Sequence, residues 1–315
     1  MDAYRQLDCR HGRFTCYTQD QYVGRSLAVY GEWSEGEVDL FNQIVRSGDT
    51  VLEAGANIGS HTVALSRAVG TGGRVLAFEA ARLTHQLLCA NLVANECLNV
   101  HTHFCALGRQ ESEVEFPFLD PHLENNFGGA GLRMCTPDLA AIPGLTESVP
   151  MRRVDGLSLD RLDFLKLDVE GHELDVLEGA RRTLEQLRPV VYAEIDLTDP
   201  RPAGNRDDLV RFLDAAGYDA YYHFTPMFSP NNYRACPDDI FDSGLSFDLV
   251  GVPRGRARLV GLTRASVGDN AFYKGGNGMI YISALPIDDA RFSWGGEPVP
   301  HFQPSTEPQD HERNR

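Results

Sequence analysis

Residues 50–79, TVLEAGANIGSHTVALSRAVGTGGRVLAFE, determine which fold the chain adopts. The apolar pair Val51-Leu52 predicts a buried strand, and the glycines of the turn 55–59 permit a tight bend and a close approach of the backbone to a ligand. Beyond the turn, apolar residues recur at helical spacing, and a second strand over 74–78 ends beside Glu79. This order of strand, glycine turn, helix, strand and acid predicts a nucleoside-binding βαβ unit in which the acid reaches the ribose hydroxyls.

The sequence of the turn favours S-adenosylmethionine over a nicotinamide dinucleotide. It reads EAGANIG instead of GxGxxG, and Glu53 stands at the end of the preceding strand. A dinucleotide pyrophosphate favours a bare helix N-terminus, because the helix dipole and the free N–H groups attract anions. An acid beside the turn suits a ligand with a positive end, such as the amino acid moiety of S-adenosylmethionine. An ordinary strand–turn–helix, in which the glycines serve only the bend, is the alternative to a nucleoside site.

Composition and charge exclude several classes of protein. A chain of 315 residues with 42% hydrophobic and 23% charged residues is typical of one large α/β domain with extensions, or of two small domains. The net charge of −16 argues against nucleic-acid binding through phosphate neutralisation. The seven cysteines are scattered without a CxxC pair, which argues against a disulfide framework and a zinc site. Neither a signal-peptide pattern nor an apolar run of membrane-spanning length is visible, and we expect a cytoplasmic protein.

The order of elements along the chain predicts three regions. Residues 1–49 form a lead-in with a short hairpin strand and a helix, and residues 50–253 form the main domain. Within that domain, residues 109–154 interrupt the alternation of strands and helices and are expected to form a substrate loop, in which Asn125-Asn126 could hydrogen-bond a substrate or simply form a turn. Residues 254–315 form a C-terminal extension whose polar end is expected to be disordered.

Two local patterns refine the elements around the turn. Ser34 and Glu37 have the spacing of a capping box at the start of the lead-in helix. After Glu79 and an amphipathic helix, a third strand is expected over 100–107. In a sheet wound in this way, the end of that strand lies beside the nucleoside, so Ala106 and Leu107 are candidates for the wall around the adenine ring.

The regular alternation of strands and helices returns at residues 164–173, FLKLDVEGHE. The strand in this stretch places Asp168 at its carboxyl end, which is the ligand edge of a parallel sheet. One helix is expected over 174–184, and the strand after it ends with Glu194 and Asp196 at the same edge. The remaining elements are expected to be a helix over 207–216, a strand over 220–224 that contains His223, and a final strand over 247–252.

Three stretches in combination resemble the FkbM-type methyltransferases. They are LEAGANIGSHT at 52–62, the pair Phe78-Glu79, and FLKLDVEGHELDVLEGA at 164–180, and the resemblance extends over roughly residues 20–252. It implies an α/β protein with the Rossmann-like class I methyltransferase fold, a seven-stranded, mostly parallel sheet flanked by helices. It also implies O-methylation of a hydroxyl, often on a sugar or another secondary metabolite, with S-adenosylmethionine as methyl donor.

The resemblance assigns cofactor contacts by position. It implies that Glu53, Gly55, Asn57 and Gly59 line the methionine side of S-adenosylmethionine, that Glu79 holds the ribose and that Asp168 sits near the transferred methyl group. The tail beyond Arg254 does not match the family pattern and gives no indication of the substrate. With the neighbouring residues of the turn and the third strand, the expected cofactor residues are Glu53, Gly55, Ala56, Asn57, Gly59, Ser60, Glu79, Ala106, Leu107 and Asp168.

Methyl transfer to a hydroxyl requires alignment of oxygen, methyl carbon and sulfur, and removal of the hydroxyl proton. One solution is a general base, for which Asp168, His172 and His223 are candidates near the strand ends. The other is a Mg²⁺ ion held by Asp168, Glu194 and Asp196, because oxygen ligands suit this ion and its charge lowers the pKa of a bound hydroxyl. The sequence leaves both open.

The expected partner is a small-molecule hydroxyl acceptor, contacted by Asn125, Asn126 and Glu194, with neither a nucleic acid nor a membrane span. A non-catalytic cofactor-binding or scaffold protein of the same fold is the rival hypothesis, although the acids at the strand ends favour an enzyme. An NAD-dependent oxidoreductase is a second rival, which the turn sequence disfavours. The sequence does not indicate the oligomeric state.

Overall fold

The computed structural model describes residues 2–196, 205–260 and 262–269, together with the strands at 273–274, 280–281 and 301–304. The strands, in chain order, are β1 Tyr4–Cys9, β2 Gly12–Tyr17, β3 Thr50–Ala54, β4 Arg74–Glu79, β5 Val100–Phe104, β6 Ala106–Leu107, β7 Ser112–Pro117, β8 Thr146–Arg152, β9 Phe164–Leu167, β10 Val190–Glu194, β11 Tyr218–Pro226, β12 Leu245–Pro253, β13 Ala257–Val260, β14 Tyr273–Lys274, β15 Ile280–Tyr281 and β16 His301–Pro304. The α-helices are α1 Val23–Val29, α2 Glu35–Ile44, α3 Ser60–Val69, α4 Arg82–Ala94, α5 Pro137–Ala140, α6 Glu173–Gly179, α7 Arg181–Leu187 and α8 Arg206–Ala215, and short 3₁₀ turns cover Leu132–Met134 and Val154–Leu157.

A seven-stranded sheet forms the centre of the protein, in the order β11-β12-β10-β9-β3-β4-β5. Neighbouring strands run parallel, except that β12 is antiparallel to both β10 and β11. The predicted α/β class, with a mostly parallel sheet of seven strands flanked by helices, is confirmed. The chain leaves β3 towards β4 and β5 on one side and returns through β9 and β10 on the other, so a crevice opens at the carboxyl ends of β3 and β9.

Both faces of the sheet are covered, as the continuous apolar runs of parallel strands require. Strand β3 shows directly that side chains alternate between the two faces of the sheet, because successive residues belong to different hydrophobic clusters. Val51 packs with residues of α2 and α3, whereas Leu52 packs with residues of α6 and α8 on the opposite face. Strands β3 and β9 are buried along their whole length, which fixes their ends rigidly at the crevice.

Smaller sheets lie beside the central one. Strands β1 and β2 form the hairpin expected in the lead-in, and the Asn91 side chain in α4 accepts a hydrogen bond of 2.7 Å from the backbone N–H of Thr15 in this hairpin. Strands β6, β8 and β7 form a three-stranded sheet from the insertion and its flanks. Among the described residues, no helix combines the length and apolar character needed to cross a bilayer. The seven cysteines are all free thiols.

Three sequence predictions need correction. The third strand ends at Phe104, and Ala106–Leu107 pair with β8 in the smaller sheet instead of continuing beside β4. The single helix expected over 174–184 is divided at Ala180 into α6 and α7.

The third correction concerns the capping box. Ser34 has a positive φ of 45° and its hydroxyl donates to the Glu37 carboxylate at 2.5 Å, instead of capping the backbone. The expected disorder of the C-terminal end falls outside the described residues.

Candidate functional site

The turn after β3 is built around a close approach of two backbones. Gly55 has a φ of +78°, and a Cβ atom added to it would lie 1.7 Å from the carbonyl oxygen of Asp168. The backbone N–H groups of Gly55 and Ala56 both donate to the carbonyl of Phe78 at 2.9 Å. The turn is therefore tied to the ends of β4 and β9 at once, which only a residue without a side chain permits.

Glu79, at the end of β4, organises the same turn. The two oxygens of its carboxylate accept backbone N–H groups from Asn57 at 2.8 Å and from Ala81 at 2.7 Å. Burial raises the pKa of Glu79 to about 7, although these hydrogen bonds lower it. Each carboxylate oxygen can accept a further hydrogen bond, so the acid retains capacity for a ligand hydroxyl.

Two adjoining cavities open at this edge of the sheet. The first cavity lies over the ends of β3, β4 and β6, and the second lies over the end of β10 beside the aromatic side chains Tyr22, Trp33 and Phe247. The residues that line both are Asn57, Gly128, Asp168 and Glu170.

The expected cofactor residues divide into two groups. Those that line the first cavity are Gly55, Asn57, Glu79, Ala106, Leu107 and Asp168. The others are Glu53, Ala56, Gly59 and Ser60, which do not line it. The Glu53 carboxylate is buried behind the turn, where it accepts the Thr62 hydroxyl at 2.6 Å. It supports the turn from within the core and does not face the cavity.

Asp168 occupies the junction of the two cavities, with a side chain that is 38% exposed. One of its oxygens accepts a hydrogen bond of 2.9 Å from the ammonium group of Lys166, two residues earlier on the same face of β9. Lys166 is buried and also lies 4.0 Å from the Glu53 carboxylate. Sequence reasoning missed Lys166, although a lysine in the otherwise apolar strand FLKL was the available signal.

Several carboxylates line the second cavity. Oxygens of Asp168, Glu170 and Glu194 lie within 4.8 Å of one another, an arrangement that suits a hard divalent cation. One Glu194 oxygen is buried without a hydrogen-bond partner, and burial together with neighbouring Glu170 raises the pKa of Glu194 well above its usual range. The predicted third ligand, Asp196, is outside this group and pairs with Arg133. Glu170, whose backbone has a positive φ of 52°, takes that place instead.

The two candidate histidines occupy different environments. His172 precedes α6 and lines the first cavity, and burial lowers its pKa, so its imidazole is neutral at pH 7. His223 is buried in β11, where its Nδ1 lies 2.9 Å from the Tyr192 hydroxyl, and burial lowers its pKa to about 4. His223 lines neither cavity, so the geometry offers it no contact with a ligand there.

The two asparagines of the insertion also differ. Asn126 lines the second cavity, and its side-chain oxygen accepts the N–H of Gly129 at 2.9 Å. Asn125 lines neither cavity; its backbone exchanges hydrogen bonds with Gln19 and Gln21 and so ties the insertion to the lead-in. Asn126 is therefore the better placed of the two for a substrate.

Buried glutamates should make the stability of the ligand-free protein fall as pH rises. Burial is the main cause that raises the pKa of four of them to about 7, and these are Glu37, Glu53, Glu79 and Glu173. A carboxyl group whose pKa is raised in the fold keeps its proton up to a higher pH than it does in the unfolded chain. Its contribution to the stability of the fold is therefore present at low pH and is lost as pH rises through about 7. Buried histidines with a lowered pKa have the opposite effect, because they reduce the stability of the fold as pH falls below about 6.5.

We therefore expect the thermal midpoint to decrease between pH 6.5 and 8.5, as measured by calorimetry on ligand-free protein. Glu53→Gln should make this decrease shallower, because it removes one titrating group while retaining the acceptor for Thr62. A midpoint that stays constant or rises over this range would contradict the raised pKa of these acids.

The family comparison agrees with the geometry. The model of the methyltransferase FkbM domain matches residues 53–220, which is more than half of the 315 residues. The chain belongs to the FkbM methyltransferase family. The match includes the glycine turn, Glu79, Asp168 and Glu194, and it excludes the lead-in hairpin and β12.

Two fungal proteins are similar to this FkbM methyltransferase in sequence. Methyltransferase sdnD of Sordaria araneosa is 28% identical over 198 residues, which are 54% of this chain and 73% of the relative. Methyltransferase 1 of Beauveria bassiana (strain ARSEF 2860) is 31% identical over 144 residues, which are 41% of this chain and 57% of the relative. The second match therefore spans little more than half of its relative.

Among solved structures, the FkbM methyltransferase of Methylobacillus flagellatus KT aligns with a TM-score of 0.42 and 18% identity. The alignment covers 68% of this chain and 47% of that one.

Proposed function

We propose that this FkbM methyltransferase transfers the methyl group of S-adenosylmethionine to a hydroxyl of a small molecule, such as a sugar or another secondary metabolite. The observation that carries the proposal is the position of Asp168, which lines both cavities. Two reactants in adjoining cavities meet at such a residue, and enforced proximity and alignment can account for a large part of the rate.

S-adenosylmethionine fits the first cavity by its chemistry. Glu79 offers a carboxylate to the ribose hydroxyls, and the apolar Ala106 and Leu107 suit the faces of adenine. The backbone around Gly55 then runs beside the methionine portion, with the sulfonium towards Asp168. A negative charge near the sulfonium suits a positively charged donor.

The second cavity then receives the acceptor. Its oxygen attacks the methyl carbon, the bond from carbon to sulfur breaks, and sulfur keeps the electron pair. The hydroxyl proton passes to Asp168, with the neutral imidazole of His172 as the other base at the edge of the first cavity. Aromatic side chains of the second cavity, including Trp33 and Phe247, suit the apolar face of a sugar or a ring system.

Asp168, Glu170 and Glu194 are also the residues that would hold Mg²⁺, and the unpartnered Glu194 oxygen suits an additional ligand of this kind. When bound, Mg²⁺ would lower the pKa of the acceptor hydroxyl. Without it, Glu170 and Glu194 hold protons at neutral pH, because burial and the repulsion between neighbouring carboxylates raise the pKa of both groups.

The test is calorimetric titration of the full chain with S-adenosylmethionine, S-adenosylhomocysteine and NAD, each with and without Mg²⁺. Binding of the two adenosyl ligands without NAD supports the proposal, and a panel of hydroxyl compounds with radiolabelled donor then identifies the acceptor. Binding of NAD alone would refute the proposal, and binding of none of the three would favour a scaffold protein.

Glu79→Gln should weaken binding of S-adenosylmethionine by about 10- to 100-fold, the size expected for loss of a charged hydrogen-bond acceptor. Glutamine retains only one acceptor oxygen, so either a ribose contact or the bond to Asn57 or Ala81 is lost. Calorimetry measures the effect, and Glu185→Gln on the exposed face of α7 is the matched control. Equal affinity of wild type and Glu79→Gln would contradict the ribose assignment.

The acceptor class, the absence of nucleic-acid binding and the cytoplasmic location remain predictions from the sequence.

A further inference from the structure

The insertion supplies part of the lining of the first cavity. Phe116 of β7 lines this cavity together with Phe127, Ala130 and Leu132 from the segment that follows. The sequence predicted a substrate loop here, yet these four apolar side chains lie in the cavity that the proposed function gives to the methyl donor. A role of the insertion in binding the donor therefore has to be considered beside its role in binding the acceptor.

Phe127 lies on the side of the first cavity that is remote from Asp168. A third cavity opens over the start of α4, and Phe127 and Ala130 line both this cavity and the first. The next residue, Gly128, lines the first and second cavities instead. Phe127 is thus on the α4 side of the first cavity, which is also the side of Glu79, three residues before α4.

The ring of Phe127 is held from behind by the lead-in. It is stacked on the ring of Tyr17 at the end of β2, with centroids 4.0 Å apart and planes 12° from parallel. The Tyr17 hydroxyl lies 3.0 Å from the Thr84 hydroxyl of α4, which fixes the ring of Tyr17 in turn. Tyr17 lines the third cavity but not the first, so it acts on a ligand of the first cavity only through Phe127.

The backbone of Phe127 is held by the same part of the chain. Its N–H group donates to the buried carboxylate of Asp20, which also accepts the N–H groups of Tyr22 at 3.1 Å and of Gly24 at 2.8 Å. Ring and backbone of Phe127 are therefore both fixed by the lead-in. The lead-in precedes the residues that the family model matches, so the family match alone does not indicate this arrangement.

We propose that Phe127 packs against the adenine of S-adenosylmethionine, and that Tyr17 is a positioning residue that holds the Phe127 ring in place. The inference rests on the proposed function, because it needs S-adenosylmethionine in the first cavity with its ribose at Glu79. The base then lies on the α4 side, where Phe127 lines the cavity. An aromatic ring that is already fixed loses little conformational freedom when a base packs on it, which favours binding.

Three ligands test the contact without any acceptor. S-adenosylhomocysteine has both adenine and the amino acid, methylthioadenosine lacks the amino acid, and S-ribosylhomocysteine lacks adenine. Their dissociation constants are measured on the full chain by competition with radiolabelled S-adenosylhomocysteine. Phe127→Ala should weaken the two ligands with adenine about tenfold and leave S-ribosylhomocysteine within about twofold of wild type.

The other outcomes overturn the inference. Equal weakening of all three ligands would mean that Phe127 only supports the shape of the site, and unchanged affinity would mean that its ring does not contact the ligand. A loss confined to the two ligands with an amino acid would place Phe127 at the methionine end. If wild-type protein binds neither adenosine-containing ligand, the proposed function itself fails, which is a distinct result.

Two further variants separate packing on the base from loss of structure. Phe127→Leu keeps most of the apolar volume, so it guards against misfolding of Phe127→Ala, and it should weaken only the ligands with adenine, by about threefold. Phe118→Ala removes a half-buried phenylalanine that lines the third cavity but not the first. This matched control should leave the affinity for all three ligands as in wild type, and a loss equal to that of Phe127→Ala would refute the assignment.

The role of Tyr17 has its own test. Tyr17→Leu removes the stacked ring and should weaken the ligands with adenine about threefold, without effect on S-ribosylhomocysteine. Tyr17→Phe keeps the ring and loses only the contact with Thr84, so it should restore wild-type affinity. Equal losses in the two variants, or a loss for all three ligands, would refute the positioning role.

Discussion

Gly55→Ala should abolish binding of S-adenosylmethionine and strongly destabilise the fold. The added Cβ would lie 1.7 Å from the Asp168 carbonyl oxygen, which belongs to the backbone and cannot rotate away. The turn would have to separate from β9 at the place where the two cavities meet. A left-handed φ costs a residue with a Cβ about 1–2 kcal/mol, and the overlap should bring the total loss of stability to about 4 kcal/mol or more.

Gly48→Ala is the matched control for this substitution. Gly48 has a similar positive φ of +90°, but a Cβ added to it meets no atom within 4 Å. The Gly48→Ala variant should therefore lose only the stability that a left-handed φ costs, about 1–2 kcal/mol, and should retain cofactor binding. Urea unfolding and calorimetric titration of both variants separate backbone strain from steric overlap. Equal losses in the two variants would mean that the turn can move away from β9 at little cost.

The fold was predictable from local pattern, for reasons that Gly55 illustrates. Strands β3 and β9 are short apolar runs buried on both faces, and each is followed at once by polar or glycine residues, so their ends could be located in the sequence. The carboxyl ends of parallel strands meet at one edge, so the glycine turn and Asp168 were both expected at the ligand edge of the sheet. In the structure the two segments lie so close that a Cβ added to Gly55 would be 1.7 Å from the Asp168 carbonyl oxygen.

Side-chain direction was less predictable. Glu53 and Lys166 belong to strands whose two faces are both buried, so alternation does not reveal which way a polar residue points. The sequence suggested that Glu53 faces the cofactor, whereas it lies beneath the turn with Thr62 and Lys166.

The sequence also did not predict which of the acids at the ends of β9 and β10 come together. Asp196 lies only two residues beyond Glu194, the last residue of β10, yet Arg133 from the insertion pairs with Asp196. Glu170 belongs to the carboxylate cluster and has a positive φ, which no sequence periodicity encodes. Contacts made by an irregular segment such as the insertion depend on tertiary packing, and single-sequence patterns do not specify them.

Asp168→Asn should reduce the turnover number by about 10²- to 10⁴-fold, the range associated with loss of a general base. Asparagine has the same shape but neither accepts the hydroxyl proton nor carries the charge that Lys166 compensates. S-adenosylhomocysteine should still bind within a few-fold of wild type, because its thioether is neutral and the remaining contacts of the first cavity are intact. Turnover is measured at saturating donor with the acceptor identified by screening, and Asp160→Asn on the surface is the matched control.

Chelation separates the two ways in which Asp168 could act. If it is the base, wild-type protein treated with a chelator keeps its turnover. If it is a metal ligand with Glu170 and Glu194, the chelator alone reproduces the loss, and Glu194→Gln lowers turnover as well. Unchanged turnover in Asp168→Asn would exclude both roles. His172, which lines the first cavity and whose imidazole is neutral at pH 7, would then be the next candidate for the base.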